Sequence, residues 1–377
     1  GWHPSLFATE VLDEPSVDIS VQGQGELTFA ELVDRLADGC DLAGLAGISY
    51  RNEGQAVRNP PRALVDMNQL APHDYQLMDV EGYFQRKGRR QLDYISSTGC
   101  AFRCAFCADP FVYKRRWVAV SPQRVGDEVE ELWRRYRFTE LAFQDETFFT
   151  YRDRVLEIAD EFLRRGLDFR WTATLRADQG VRLGDEGFAH CVRSGLSRVM
   201  IGVESGSQEM MDWMKKDIKV EQVIAAAERC ARHGVGAIFP FIVGFPNEST
   251  ESVRATLEMM KRLRAMSPAF DTPLFYFKPY PGSPITAEVV KNGYQLPRTL
   301  EAWAEFDFIG TSSEWVSAEK EQLVERFKFY NRFAGGPERW FKWPLQQLSR
   351  WRCRHDVYRL PLEKFLVERL YPSPKLS

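Results

Sequence analysis

No long hydrophobic run interrupts this 377-residue sequence. The longest nearly apolar stretch, residues 237–246, is about half of the ~20 residues that a membrane-spanning helix needs, and Pro240, Gly244 and Pro246 break it. No membrane span is expected. Charge of one sign is not in excess either: 50 Lys+Arg against 53 Asp+Glu leave a formal charge of −3, which argues against a general polyelectrolyte partner such as nucleic acid or an anionic lipid surface. Gly1 leads straight into Trp-His-Pro without a charged segment, an apolar segment or a starting Met, so no secretory signal is expected and the first residues read as the interior of a gene product. Repeats and low-complexity runs are missing. What is there, 44% hydrophobic and 27% charged residues, describes a soluble globular chain of two or three packed units.

A disulfide framework is lacking as well. The seven cysteines are odd in number, and three of them, Cys100, Cys104 and Cys107, crowd into eight positions. One tight group and scattered thiols suit the reducing cytoplasm, the expected location. Cys40, Cys191, Cys230 and Cys353 read as buried small apolar residues.

From residue 120 onward, helix-period and strand-like segments alternate. Val125, Val129, Leu132, Trp133 and Tyr136 share one helical face behind Ser121-Pro122, a cap followed by a first-turn proline. A short strand follows at 141–144, then a helix marked by Val155, Ile158, Ala159 and Phe162, and a strand at 169–175. A helix near 186–193, a strand at 198–203, a helix at 220–232 and a strand at 235–243 continue the series. Val253, Leu257, Met260 and Leu263 mark a further helix before a strand at 273–278. With residues 92–96 as the opening strand, about six β/α units predict a parallel sheet with helices outside, either a barrel or a doubly wound sheet.

The segment Thr98-Gly99-Cys100-Ala-Phe-Arg-Cys104-Ala-Phe-Cys107 follows that opening strand directly, at the edge where α/β folds gather ligands. Its C-x3-C-x2-C spacing lets one loop wrap three thiolates around a metal centre, and soft thiolates select zinc or iron-sulfur clusters. A closed zinc site wants four ligands, and the nearest further Cys or His in sequence are Cys40, His73 and His190. Three thiolates on an iron-sulfur cube leave one iron open to a small molecule, whereas a ferredoxin uses a fourth.

With Phe106 just before its last Cys, this motif resembles the signature of the radical S-adenosylmethionine enzymes. The resemblance spans roughly residues 91–290 and implies a 4Fe-4S cluster on Cys100, Cys104 and Cys107 whose open iron chelates S-adenosylmethionine. In that family the reduced cluster cleaves a C–S bond and releases a 5′-deoxyadenosyl radical that abstracts hydrogen from substrate. Phe143-Gln-Asp145-Glu146-Thr-Phe, where the family commonly has Gly-Gly-Glu, is similar to the segment that meets the cofactor's ammonium, which implies a role for Asp145 or Glu146. Ile201-Gly-Val-Glu204-Ser205-Gly206-Ser resembles the ribose-facing segment, and Ile242-Val-Gly244-Phe245-Pro246 the segment along the adenine. Arg176, after the third strand, is a candidate for the cofactor's carboxylate.

Gly1-Trp-His3-Pro4, residues 17–29, Gly47-Ile-Ser-Tyr and Asn59-Pro-Pro-Arg look like the latter half of the cobalamin (B12)-binding domain that precedes the radical domain in the B12-dependent subgroup. Pro279-Tyr280-Pro281-Gly282-Ser283-Pro284 and the Arg/Trp-rich tail are similar to that subgroup too. The first half of such a domain, with its Asp-x-His-x-x-Gly loop, is absent, so cobalamin is expected with the full-length protein and His3 is expected to be structural. The expected organisation is a partial cobalamin-binding-like, Rossmann-like α/β segment (1–68), a linker (69–90), a radical S-adenosylmethionine core as a partial (β/α)6 TIM-type barrel (91–296), and a mainly helical C-terminal extension (297–377).

That extension carries Trp303, Trp315, Trp340, Trp343 and Trp351, and residues 331–377 hold ten Lys/Arg (Arg332, Arg339, Lys342, Arg350, Arg352, Arg354, Arg359, Lys364, Arg369, Lys375) against four acids (Glu338, Asp356, Glu363, Glu368). A helical cap whose Trp rings pack on the barrel is preferred there to a nucleic-acid surface. The implied function is methylation or another C–H functionalisation of a small organic substrate, with an external flavodoxin- or ferredoxin-type electron donor. The alternatives are an RNA-modifying methylthiotransferase-like enzyme, which would need a second dense Cys group, and a zinc or electron-transfer protein without catalysis.

Overall fold

Two prolines set the shape of the sheet that carries the cysteine loop. The computed structural model describes residues 1–306, 312–334, 343–359 and 361–370. Arg339, Trp340, Lys342, Lys375 and Glu338 of the basic tail lie outside the described residues.

The N-terminal segment contains α1 (Trp2–Leu6), β1 (Ile19–Val21), α2 (Glu26–Ala37), β2 (Ile48–Asn52) and β3 (Gln55–Arg58). Its α/β content is as expected, but β1 pairs antiparallel with β2, and β2 with β3, where a doubly wound sheet would have parallel strands. The reason for the second pairing is local. Glu53 and Gly54, at φ 48° and 81°, form a two-residue hairpin turn that leaves no length for a crossover. Leu32, Leu45, Ile48 and Tyr50 close a small core of their own. Cys40 is exposed, against the expectation of burial, because the residues after α2 run over the surface.

The linker contains α3 (Val80–Lys87), capped by the Asp79 carboxylate on Gly82 N–H and ended by Gly88 at φ 62°. Arg124 fastens the linker to the barrel by donating to the carbonyls of Met67, Asn68 and Leu70.

The core begins with β4 (Gln91–Tyr94), followed by β5 (Ser97–Gly99), α4 (Asp109–Val112) and β6 (Trp117–Ala119), the last pairing antiparallel with β5. Then come α5 (Pro122–Tyr136), β7 (Glu140–Phe143), α6 (Arg152–Arg164), β8 (Arg170–Leu175), α7 (Ala177–Arg193) and β9 (Leu196–Ile201). The series ends with α8 (Gln208–Trp213), α9 (Val220–Arg232), β10 (Gly236–Ile238), β11 (Phe241–Val243), α10 (Thr250–Met266), β12 (Phe270–Asp271) and β13 (Leu274–Tyr276). Six strands pair in the order β12-β10-β9-β8-β7-β4, all parallel, and β11 pairs parallel with β13. This is the open, partial form of the expected barrel.

The expected fifth strand is interrupted, and the expected sixth, seen as β13, is preceded by the short β12 that was not expected. Pro240 separates β10 from β11 and Pro273 follows β12, since proline has no N–H to give to a ladder. α7 starts at Ala177 rather than near 186, with a break at Gly184 (φ 70°). The β5/β6 hairpin and α8 were not expected from the sequence. α5 does follow its pattern: Ser121 Oγ caps Arg124 N–H, Pro122 occupies the first turn, and Val125 and Val129 are fully buried.

After α11 (Pro284–Lys291) at the end of the core, the extension is helical: α12 (Leu300–Ala304), α13 (Ala318–Ala334), α14 (Trp343–His355) and α15 (Leu362–Leu370). Val324, Phe327 and Tyr330 of α13 enter the same hydrophobic core as the barrel. Trp315 packs on Phe277 and Trp303 on Phe7, whereas Trp343 and Trp351 are about half exposed. Among the described residues no helix is long and apolar enough to cross a membrane.

Candidate functional site

The cysteine loop leaves the sheet through a glycine that nothing else could replace. Gly99 has φ 90°, and a Cβ there would lie 2.3 Å from the Arg116 carbonyl oxygen, so the β5/β6 hairpin closes only around an unsubstituted residue. Cys100 and Cys104 are buried and Cys107 is partly covered. Burial pushes the Cys100 thiol up to about 11 and the Cys107 thiol well above its ordinary range, with Asp109 adding to the latter. All three lie on the one loop between β5 and α4.

Among the described residues, no three Cys, His, Asp or Glu side chains converge tightly enough to hold a single metal ion. A cube with a separate iron for each thiolate would need three cysteines around a shared volume, and this loop carries three.

Two buried cations stand beside this loop. Arg176, between β8 and α7, points Nη1 at Cys104 Sγ (3.8 Å), donates through Nη2 to the Lys216 carbonyl (2.8 Å) and lies 3.7 Å over the Phe102 ring. Lys216 follows α8, and its Nζ donates to Glu204 Oε1 at 2.7 Å while standing 5.7 Å over the Phe106 ring. Burial, the largest influence, would lower the Lys216 pKa, but Glu204 and Cys104 together hold the ammonium above its ordinary value. Lys216 is not among the residues that the sequence analysis singles out. The available signal was Met210, Met211 and Met214, whose burial turns this segment inward.

The two acids after β7 have separate parts. Asp145 is buried and accepts from Ser96 N–H (2.8 Å), Ser96 Oγ (2.7 Å) and Ser97 Oγ (2.5 Å), which ties β7 to the root of the cysteine loop and leaves it no open face. Glu146 instead reaches the loop, accepting from Gly99 N–H at 3.2 Å, and burial raises its pKa. Between the two, Glu146 is the one placed toward the cysteines. Burial and the nearby Glu146 push Asp109 up to about 7.

Glu204 sits at the end of β9 with φ 67°. Ser205 is fully buried and turned into a turn network, with its Oγ 3.1 Å from Thr256 Oγ1 and accepting from Ser207 N–H. Gly244 (φ 84°) permits a close approach, but to the extension: a Cβ there would meet Val316 at 2.6 Å and Ser313 at 2.9 Å, and Ser313 Oγ donates to its carbonyl. Phe245 is fully buried against Phe277 (4.6 Å between centroids), with Phe106 edge-on at 6.3 Å.

Against the loop lies a cavity of about 470 Å³ lined by Phe106, Cys107, Glu204, Pro240, Ile242, Phe275, Phe277, Lys278 and Tyr280, with Trp2 from the N-terminal segment. The 279–284 segment turns around Gly282, whose missing Cβ admits Leu6 of α1. His3 packs between Phe7 and Trp303. The cavity wall therefore draws on the N-terminal segment as well as the core.

The sequence model of the Radical SAM superfamily matches residues 94–260. An uncharacterized methyltransferase of Pyrococcus horikoshii is 31% identical over 322 residues, 84% of this chain and 68% of that protein. The anaerobic magnesium-protoporphyrin IX monomethyl ester cyclase of Rubrivivax gelatinosus is 27% identical over 269 residues, 69% of this chain and 48% of that protein. Among solved structures, the cobalamin-dependent S-adenosylmethionine radical enzyme OxsB with aqua-cobalamin bound superposes with a TM-score of 0.70 at 18% identity, over 97% of this chain and 61% of that one. The chain thus spans between about half and two thirds of the length of these proteins.

Proposed function

This chain belongs to the radical S-adenosylmethionine superfamily, and from that premise we propose that it is the core of an enzyme that cleaves S-adenosylmethionine reductively at a 4Fe-4S cluster and uses the outcome to methylate, or otherwise functionalise a C–H bond of, a small organic substrate. The observation that carries the proposal is the trio of thiols in one loop at the C-terminal edge of the parallel sheet, with Arg176 and Lys216 buried beside Cys104. Bound together, the cluster and S-adenosylmethionine supply one-electron scission of a C–S bond.

This chain's residues would supply the placement. Cys100, Cys104 and Cys107 hold the iron. Arg176, beside Cys104, would be the cation for the cofactor's carboxylate and Glu146 the acid for its ammonium, while Lys216 is engaged by Glu204. Glu204, pinned by Lys216, faces the cavity as an acceptor for sugar hydroxyls, and the Phe106 ring and Ile242 give the adenine an apolar wall. Phe275, Phe277, Lys278, Tyr280 and Trp2 are left for substrate and keep water from the reacting atoms.

Methyl transfer with cobalamin held by the full-length protein is the form of this chemistry that the likeness to OxsB and to the archaeal methyltransferase supports. An external one-electron donor, flavodoxin or ferredoxin in type, completes it, in the cytoplasm. The charge balance and the scarcity of further cysteines favour a small substrate over RNA. The test is anaerobic reconstitution with iron and sulfide, dithionite and S-adenosylmethionine. Formation of 5′-deoxyadenosine by the native chain and none by Cys104→Ala is the expected result; none by either rejects the proposal.

A further inference from the structure

The cavity beside the cysteine loop is unevenly charged. Its wall is mostly ring and aliphatic carbon, from Trp2, Phe106, Ile242, Phe275, Phe277 and Tyr280. Among the described residues that line it, Lys278 is the one cation and Glu204 the one carboxylate. Glu204 is already compensated, since Lys216 donates to it at 2.7 Å. Lys278 is not: it is partly buried, and among the described residues it has no hydrogen-bond or ion-pair partner. The wall is left with one uncompensated charge, and that charge is positive.

A lysine without a partner is ordinarily a solvated one on a mobile stem. The backbone of this one is held on both sides. Phe277, just before it, donates its N–H to the Val243 carbonyl at 2.8 Å and packs its ring on Phe245 (4.6 Å) and Trp315 (5.5 Å). Pro279, just after it, is buried and disfavours helical backbone at Lys278. Lys278 therefore leaves the end of β13 from a fixed root, at the edge where α/β folds gather their ligands. An ammonium set among aromatic walls gives up part of its hydration, and an anionic group on a ligand restores what is lost.

We propose that Lys278 is the residue that selects the substrate, and that the substrate is a flat, largely apolar carboxylic acid, its carboxylate on the Lys278 ammonium and its body against Trp2, Phe275 and Tyr280. A single point charge suits a monoanion. A phosphate dianion calls for several donors, and among the described residues the wall has neither an Arg nor a second Lys to supply them. An amino acid fits less well, because its ammonium would need a free acid and Glu204 is engaged. This inference rests on the function proposed above, whose substrate it narrows.

The test is titration calorimetry of the iron-reconstituted chain, in the presence of S-adenosylmethionine, with probes on one ring system: 2-naphthoate, 2-naphthylmethanol, 2-naphthylmethylamine and 2-naphthyl phosphate. The native chain should bind 2-naphthoate about tenfold or more tightly than the others. Lys278→Met should bind 2-naphthoate no better than the alcohol, Lys278→Arg should keep the preference, and Lys278→Glu should prefer the amine. Iron content and far-UV circular dichroism of each variant report its fold. A native chain that binds the alcohol as tightly as the acid, or a Lys278→Met affinity for 2-naphthoate within about twofold of native, overturns the role of Lys278. Tightest binding of the phosphate ester overturns the carboxylate. The titrations need no turnover, so the function is read separately: a native chain that forms no 5′-deoxyadenosine with dithionite overturns the function, whichever probe it binds.

Discussion

Lys216 Nζ lies 2.7 Å from Glu204 Oε1, and both side chains are buried where α8 folds back on the cysteine loop. Taking two charges out of water is costly, and the pair survives because each compensates the other. Removing one partner leaves the other unpaired. Lys216→Met should destabilise the chain by about 3–5 kcal/mol in urea unfolding. The double variant Lys216→Met/Glu204→Gln should recover most of that. If the double variant loses as much as the two single changes summed, the two residues are not a coupled pair. In S-adenosylmethionine binding, Glu204→Ala should lose affinity while iron content stays native; unchanged affinity removes Glu204 from the site.

Cys104→Ala tests the metal site separately from the fold. Cys104 is not part of the main hydrophobic core, so far-UV circular dichroism should stay close to native while the brown absorbance of the reconstituted protein disappears. A variant that retains a full complement of iron would move the cluster elsewhere.

Gly99→Ala should be more damaging to iron uptake than its size suggests. The added methyl would stand 2.3 Å from the Arg116 carbonyl oxygen at a φ of 90°, so the hairpin must open. A conformation so disfavoured for a side-chain-bearing residue costs on the order of 1–3 kcal/mol. Iron content after reconstitution and the urea midpoint both report it. A variant with native values for both would show that the loop does not depend on this contact.

How much of this was legible in the sequence follows from what sets each feature. The parallel sheet was legible in the alternation of strand-like and helix-period segments, because hydrophobic period reports burial directly, but the order of its strands was left open between a barrel and a doubly wound sheet. The cysteine loop was legible because its spacing is local. Lys216 was not, since nothing in a run of two lysines says which one turns inward; that depends on Glu204, twelve positions earlier, and on α8 packing against the loop. Ser205 and Gly244 were placed in the site from their neighbours in the motif, whereas Thr256 and the Ser313–Val316 segment, remote in sequence, take up their contacts. Asp145 and Glu146 are adjacent in sequence and differ only in which loop residue each reaches, a tertiary distinction.

Glu248 gives the fold a pH dependence. Its carboxylate accepts from Gly244 N–H at 2.6 Å, and burial pushes its pKa up to about 7 from an ordinary 4.5. A raised acid binds its proton more tightly when folded, so its stabilisation is complete below about pH 4.5 and is lost as pH rises through about 7. The loss is on the order of 3 kcal/mol. Glu248→Gln should therefore gain stability relative to the native chain between pH 5 and pH 8 in urea melts. A stability difference that stays constant over that range contradicts the assignment.

The central claim is that three thiolates leave one iron of the cluster free for S-adenosylmethionine. Electron-nuclear double resonance of the dithionite-reduced chain, with S-adenosylmethionine carrying ¹⁵N in its amino group, reads this directly. The account predicts a nitrogen coupling of the size a metal-bound amine gives, lost in Cys104→Ala along with the cluster. A reduced cluster whose spectrum does not change when S-adenosylmethionine is added, or protein that holds zinc in place of iron, contradicts it.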